Sequence, residues 1–196
     1  MHRNRNRNPK LQSVILEHHH LHPTLQKMIR AWQEWLHKTT APGCRLLALY
    51  LPPGFMFRKE MERAGRHYGF REIKPYPDEP SAHGMIVIGS PSTLPGSTHL
   101  TYADQEALVR QVRDVLPLPQ NATFSLGSIE HIALLKVRGF FLGGDGYHIR
   151  SETEEDNDST LAIRNEHTTP VARSFADQWL GCTAIAAIPT DLSLGR

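Results

Sequence analysis

The stretch of the chain that most constrains its fold is residues 130–179. It begins with His131 before an apolar run at 132–137, passes through a Gly-Gly turn and an acidic loop, and reaches a second apolar run at 161–164. Short apolar runs bounded by turn residues are typical of buried strands. We therefore predict two strands in this stretch, with a glycine-rich turn and a solvated acidic loop between them.

The end of the same stretch has the pattern of a helix. Pro170 suits a first helical turn, because the N–H that proline lacks has no partner there. Val171, Phe175 and Trp179 follow at intervals of four residues and would share one helical face. We predict a closing helix from Pro170 to Trp179.

The remainder of the chain alternates between helical and strand patterns. At 23–38 apolar residues recur at helical spacing, and a second helical pattern occupies 102–116. At 45–51 and 85–88 nearly continuous apolar runs indicate strands that are covered on both faces. This alternation favours an α/β fold in which a mixed, mostly parallel β-sheet is flanked by helices.

The domain organisation follows from composition. The chain has 196 residues, the size of one ordinary domain. Residues 1–10 alternate arginine and asparagine and are predicted to form a disordered basic arm. Such an arm can contact nucleic-acid phosphates, and a solubilising tail is the alternative. We assign 11–182 to a single α/β domain and 183–196 to a weakly ordered tail.

Several functional classes are disfavoured by what the sequence lacks. The net charge is only +2, so no strong global field selects a partner. No apolar run reaches about 18 residues, so no membrane span is expected, and without a secretory signal the cytoplasm is the expected location. Cys44 and Cys182 lack metal spacing, which favours free thiols and leaves a long-range disulfide open. The phosphate-loop, dinucleotide, zinc-protease and hydrolase motifs are absent, and no cofactor or resident metal is expected.

A first histidine cluster lies near the start of the chain. If residues 18–22 were extended, His18, His20 and His22 would share one face and could bind a metal. His20-Leu21-His22 is similar to the His-hydrophobic-His element of rolling-circle nucleases, which implies a metal-dependent nuclease as one alternative. A polar strand end without a metal is the other interpretation.

A second group of candidates surrounds His131. A histidine at the mouth of a strand can act on phosphorus as nucleophile or acid/base. Backbone N–H groups of the turn at Gly143 and Gly144 could bind phosphate oxygens, and Lys136 is a candidate cation. His83 also precedes a predicted strand. A simple β-hairpin with a tight glycine turn explains the same pattern without chemistry.

The order of these pieces resembles the phospholipase D superfamily, whose signature combines a histidine, a lysine and an aspartate. His131 matches the histidine, but Ala133 stands at the lysine position and Arg138 at the aspartate position. The Gly-Gly turn lies within a residue or two of its expected place, and Ser151 matches a later serine. His83 could be the remnant of a first copy of the motif.

The resemblance implies a phospholipase D-like fold whose catalytic motif is degenerate. Such a protein would bind or scaffold nucleic acid or another phosphodiester, with a homodimer expected because family members place two motifs face to face. The alternative is an active phosphodiesterase or nuclease that uses His131. The site residues implied are His131 and His83 for catalysis, and Lys136, Gly143, Gly144 and Ser151 for substrate binding.

Overall fold

Two β-sheets and four helices make up the described part of the chain, and the computed structural model describes residues 12–14, 23–39, 46–68, 80–90, 93–137, 148–164 and 167–190. The helices are α1 (Pro23–Thr39), α2 (Phe57–Tyr68), α3 (Tyr102–Asp114) and α4 (Ile129–Val137). The strands are β1 (Gln12–Val14), β2 (Leu47–Leu51), β3 (Met85–Gly89), β4 (Thr123–Ser125), β5 (His148–Glu154), β6 (Ser159–Arg164), β7 (His167–Ala172), β8 (Leu180–Cys182) and β9 (Ile185–Pro189).

Sheet A contains five strands in the order β1-β2-β3-β9-β4, and every neighbouring pair is antiparallel. Its side chains alternate between two cores, as the pleat of a strand requires. Ile86 and Ile88 of β3 join the core formed with α1 and α3. Val87, between them, joins the core on the opposite face. Both faces of sheet A are therefore covered.

Sheet B contains four strands in the order β7-β6-β5-β8. Only the β5–β8 pair is parallel. Ile149, Leu161 and Ile163 point from its inner face into the core shared with sheet A. Only Thr183 and Ala184 separate β8 from β9, so the chain passes almost directly from sheet B to sheet A. The opposite side of sheet B is called its outer face below.

Helix α4 packs between the two sheets, against β3 of sheet A and against β5 and β6 of sheet B. Its residues Ile132, Ala133, Leu134 and Leu135 are all fully buried. A helix that is covered over most of its surface shows little helical periodicity, and over nine residues such an apolar run cannot be distinguished from a buried strand by its periodicity. The predicted strand at 132–137 is therefore wrong, and the segment is helical.

The predicted fold class, a mostly parallel sheet flanked by helices, is also wrong. Sheet A is wholly antiparallel, although α2 lies between β2 and β3 in the chain. The apolar runs of these strands do report that helices or a second sheet cover both faces. They carry no information about strand direction, which the pairing of distant segments decides.

Two predictions near the end of the chain differ from the structure. The segment expected as a closing helix from Pro170 to Trp179 forms the end of β7 and an irregular loop. Pro170 is accommodated because β7 is an edge strand of sheet B. The range 183–196, expected to be a weakly ordered tail, contains β9, which pairs with β3 and β4 inside sheet A.

Other elements confirm the sequence patterns. Helix α1 begins at Pro23, and its stripe of Leu25, Met28, Ile29, Trp32 and Leu36 is buried. Strands β2, β3 and β6 lie where apolar runs predicted them. Within the described ranges, no helix is long and apolar enough to cross a membrane. The cytoplasmic location and the homodimer stay predictions.

Candidate ligand-binding site

The structure places the predicted catalytic histidines in different surroundings. His131 lies in the first turn of α4, partly buried, with its ring centroid 6.0 Å from that of Phe57. Burial lowers the pKa of His131 to about 4, so its imidazole is neutral at physiological pH. His83 is exposed in the turn that precedes β3. The role of either histidine in catalysis stays a prediction.

The predicted substrate-binding residues are also dispersed. Lys136 is partly buried in the last turn of α4. Ser151 is fully buried on β5, where its hydroxyl donates a hydrogen bond to the carbonyl oxygen of Leu161 across 2.7 Å. This contact gives Ser151 a structural role between β5 and β6. Gly143 and Gly144 lie outside the described residues, as does the histidine cluster at 18–22.

A different set of residues surrounds a cleft on the outer face of sheet B. The cleft has a volume of about 560 Å³, within the roughly 300–1,000 Å³ typical of ligand sites. Its lining comes from all four strands of the sheet and from the loop between β7 and β8. The lining residues are His148, Arg164, Thr169, Val171, Phe175, Asp177, Trp179 and Leu180.

The polar part of the cleft is a contact between β5 and β6. Ile149 pairs with Ile163 in the antiparallel register, which brings the preceding His148 next to the following Arg164. Nη1 of Arg164 lies 3.5 Å from Nε2 of His148. Because a guanidinium can only donate, a hydrogen bond at this contact requires Nε2 as the acceptor, which means a neutral imidazole with its proton on Nδ1.

The charge state of His148 follows from its surroundings. Burial lowers the pKa of His148, and the nearby Arg164 guanidinium lowers it further. The Asp177 carboxylate acts in the opposite direction. A perturbed histidine beside a fixed cation in a cleft is a recurrent mark of binding and catalytic sites.

The apolar wall of the cleft is formed by two aromatic side chains. Phe175 and Trp179 are each 50% exposed, which is unusual for residues of this size. Both belong to the loop that follows β7, at 173–179. Large apolar side chains that remain exposed around a concave site indicate a binding surface.

The loop is held in place by backbone hydrogen bonds. The backbone N–H of His148 donates to the Trp179 carbonyl oxygen across 2.7 Å. Oδ1 of Asp177 accepts from the Trp179 N–H at 2.7 Å, and the Asp177 carbonyl oxygen accepts from His99 and from Leu180. The carboxylate of Asp177 is thus engaged in shaping the loop that carries Trp179.

Arg150 supports the same loop from beneath. Its side chain is 0% exposed, and Nη2 donates to the carbonyl oxygens of Phe175 at 2.8 Å and Ala172 at 3.2 Å. Its Nη1 donates to Oε1 of Gln105, a buried residue of α3. The cationic group that positions the aromatic wall is therefore bonded to a neutral amide and two backbone carbonyls.

A second tether joins the loop to α3 and β5. Arg173 forms an ion pair with Glu154 of β5 and lies over the Tyr102 ring, 4.9 Å from its centroid. The Tyr102 N–H donates to the Arg173 carbonyl oxygen across 2.9 Å. Both ends of the loop are thus fixed, so the aromatic side chains are presented on a positioned backbone.

No group of three histidine, cysteine, aspartate or glutamate side chains among the described residues is arranged to hold a metal ion. Thr169 contributes a hydroxyl to the cleft lining. This hydroxyl donates to the Pro170 carbonyl oxygen across 3.5 Å and not to a side-chain base. The arrangement can stack planar groups and receive an anion, and no hydroxyl or thiol among the described lining residues is hydrogen-bonded to a base.

The sequence patterns did not identify this cleft. The spacing of Phe175 and Trp179 predicts a shared helical face, and no sequence pattern marks His148 or Arg164 as site residues. His148 and Arg164 are hard to connect from the sequence, because His148 begins β5, Arg164 ends β6, and the hairpin between the two strands separates them. The indication that was available is Pro170, which fits an edge strand as well as a helix start.

No family model, curated protein or solved structure matches the chain.

Proposed function

We propose that this chain is a non-catalytic binding protein for single-stranded nucleic acid and that the outer-face cleft of sheet B is its binding site. The observation that carries the proposal is the pairing of two half-exposed aromatic side chains, Phe175 and Trp179, with Arg164 in one cleft. Single-strand binding proteins combine aromatic platforms for bases with cations for the backbone.

The chemistry of each wall supports this choice of ligand. Phe175 and Trp179 offer faces on which unstacked bases can stack, and every base has such a face. Arg164 is exposed and can donate several hydrogen bonds to one phosphate. A double helix would bury its bases within its own stack and could not use the aromatic wall. The site therefore favours single strands over duplexes.

The rest of the chain is compatible with this role. Three arginines, Arg3, Arg5 and Arg7, lie in the segment expected to form a basic arm, outside the described residues. They could add phosphate contacts that do not depend on sequence. Binding rather than hydrolysis is favoured because the described lining residues of the cleft include no activated nucleophile, and because His131 is partly buried on α4. An active phosphodiesterase stays the alternative prediction.

The test is a binding titration with a fluorescently labelled single-stranded oligonucleotide of about 16 nucleotides, the upper end of known single-strand site sizes. Stacking contributes roughly 1–3 kcal/mol per base, so Trp179→Ala is expected to weaken binding about 5- to 150-fold. Val115→Ala is the matched control, because Val115 is 63% exposed on the C-terminal side of α3, away from the cleft lining.

Three results would contradict the proposal. The first is a wild-type protein that does not bind single-stranded DNA or RNA. The second is a Trp179→Ala variant that binds as well as Val115→Ala. The third is equal affinity for a duplex of the same length, because the aromatic wall would then contribute nothing. Hydrolysis of the oligonucleotide during the titration would favour the phosphodiesterase alternative instead.

A further inference from the structure

The contact between Arg164 and His148 has a consequence for how the cleft receives an anion. Nη1 of Arg164 lies 3.5 Å from Nε2 of His148, and the two residues are neighbours on β5 and β6. As long as Nε2 accepts from the guanidinium, that nitrogen carries no proton and cannot donate to a ligand. A phosphate that reaches Arg164 changes this balance, because it competes for the same guanidinium.

The groups around His148 determine what happens next. Arg164 of β6 is the cation in contact with it, and Asp177 of the 173–179 loop is the anion that acts on it. Two further histidines are connected to Arg164 or Asp177 through the backbone. His167 of β7 pairs with Arg164 in the strand register, and the His99 N–H donates to the Asp177 carbonyl oxygen. Among the described residues, these four are the titratable or charged groups from which any pH effect at His148 must be separated.

We propose that one internal phosphodiester of the bound strand is received jointly by Arg164 and His148, with His148 taking up a proton from solvent as the phosphate binds. This inference deepens the proposed function and rests on it. The Arg164–His148 contact is replaced by two charge-assisted hydrogen bonds, from Nη1 of Arg164 and from Nε2 of His148, to phosphate oxygens. The lone pair of Nε2 gains the proton, solvent loses it, and no covalent bond to phosphorus forms.

The geometry favours proton uptake in the complex and disfavours it in the free protein. In the free cleft, protonated His148 would face the Arg164 cation without an anion between them. A phosphodiester placed between the two residues removes that repulsion and adds attraction. In the free protein, burial and the Arg164 cation lower the pKa of His148, as this argument requires. Binding of the anion is expected to raise it.

This linkage gives binding a defined pH dependence. Affinity is highest at a pH below the pKa of His148 in the free protein, where the imidazolium is already present. It falls as pH rises towards and through the higher pKa of the complex, by at most about tenfold per pH unit for one proton. Above the pKa of the complex, Arg164 alone holds the phosphate and affinity becomes constant.

The experiment uses the full chain and a labelled thymidine oligonucleotide of about 16 residues with hydroxyl groups at both ends. Internal phosphodiesters and thymine bases do not titrate between about pH 5 and 8, so any change in that range belongs to the protein. The dissociation constant is measured across this range for wild type, His148→Gln, His99→Gln and His167→Gln. Calorimetry in two buffers of different ionisation enthalpy gives the number of protons taken up.

The proposal expects wild-type affinity to rise as pH falls, with proton uptake approaching one in that window. His148→Gln should lose both effects and bind at all pH values as the wild type does at high pH. His99→Gln and His167→Gln should retain them. Should His148→Gln fail to fold, NMR titration of the His148 ring protons in wild type decides the question, because their pKa must rise when the oligonucleotide is added.

The failures are distinguishable. A wild-type protein that binds with a pH-independent constant, or an unchanged pH dependence in His148→Gln, overturns this inference and leaves the proposed function standing. A pH dependence that disappears in His99→Gln or His167→Gln instead assigns the proton elsewhere and also overturns it. An absence of binding at every pH overturns the proposed function and this inference with it.

Discussion

The Arg150 guanidinium donates a hydrogen bond across 3.3 Å to the side-chain amide oxygen of Gln105, although 45 residues separate them in the chain. Gln105 in turn donates from Nε2 to the carbonyl oxygens of Ser97 at 2.8 Å and Leu180 at 3.4 Å. Helix α3, the turn before it and sheet B therefore meet at one buried amide. Because Arg150 also holds the Phe175 carbonyl oxygen, this amide supports the aromatic wall of the cleft.

Replacing Gln105 by leucine is expected to destabilise the protein. The substitution leaves one donor of buried Arg150 and two backbone carbonyls without their partner, and each buried unsatisfied group costs roughly 1–3 kcal/mol. We expect the free energy of unfolding in urea to fall by at least about 2 kcal/mol. Amide hydrogen exchange at residues 175–180 should accelerate more than in sheet A.

A matched variant separates the hydrogen bond to Arg150 from the other two contacts. Gln105→Glu keeps an acceptor, now charged, for Arg150 but loses both Nε2 donations. Its free energy of unfolding should lie between those of wild type and Gln105→Leu. A leucine variant as stable as wild type would mean that the buried amide does not support the fold.

His131 is expected to make the protein less stable in mild acid. Its pKa of about 4 in the folded protein lies below the ordinary histidine pKa of 6.5. The unfolded chain therefore binds more protons than the folded protein in this window, and stability is lost as pH falls from 6.5 towards 4. The shift corresponds to at most about 3 kcal/mol, reached near or below pH 4.

The measurement is urea unfolding of wild type and His131→Leu across this pH range. Other histidines and the carboxylates also titrate, so the difference between the two proteins is the relevant quantity. The leucine variant should lose less stability on acidification than wild type does. Parallel curves for the two proteins would show that His131 is not held neutral by its surroundings.

Gly127 is expected to resist substitution for two separate reasons. Its φ is +82°, a conformation that side chains rarely adopt, and a Cβ there would lie 2.8 Å from Cγ1 of Ile185. Gly96 has a similar φ of +74° but no atom within 4 Å of its would-be Cβ. Gly96→Ala should cost only the backbone strain, roughly 1–3 kcal/mol, and Gly127→Ala about 1–3 kcal/mol more from overpacking.

Ile185→Val tests whether overpacking against Ile185 contributes to the cost of Gly127→Ala. The substitution removes Cδ1, the Ile185 atom nearest to the would-be Cβ. Urea unfolding of the two single variants and the double variant gives the coupling energy. The double variant should be more stable than the sum of the single effects predicts. Simple additivity would mean that the backbone conformation alone accounts for the cost at Gly127.

Sequence analysis predicted the helices and strands whose apolar residues form a recognisable pattern within one segment of the chain. The stripe of α1 marks one buried face, and the apolar runs of β2 and β3 mark strands that are covered on both faces. Helix α4 could not be recognised in this way, because its four consecutive buried apolar residues, 132–135, leave no clear polar face to define its period. Strand direction in sheet A depends on pairing between segments as distant as β3 and β9, which no local pattern records.

The candidate site was less accessible to sequence analysis than the fold. Phe175 and Trp179 are spaced as a helical stripe would be, but the carbonyls around them are held by Arg150 and the segment stays irregular. That contact requires α3 and sheet B to be in place, so it is a product of the tertiary structure. His131, the most conspicuous histidine in the sequence, proved to lie in the first turn of a nearly enclosed helix.

Removal of Arg164 is expected to change the salt dependence of oligonucleotide binding as well as its strength. A cation that contacts one phosphate of a single strand contributes about 0.7 to the slope of log affinity against log salt concentration. Arg164→Gln should therefore reduce that slope by about 0.7. Trp179→Ala should weaken binding with little change in slope, since stacking releases no counterions.

Arg113→Gln, on an exposed arginine of α3 outside the cleft lining, is the matched charge control. If Arg113→Gln and Arg164→Gln reduce the slope equally, the protein attracts the strand through its overall charge, and the cleft is not where the phosphate binds.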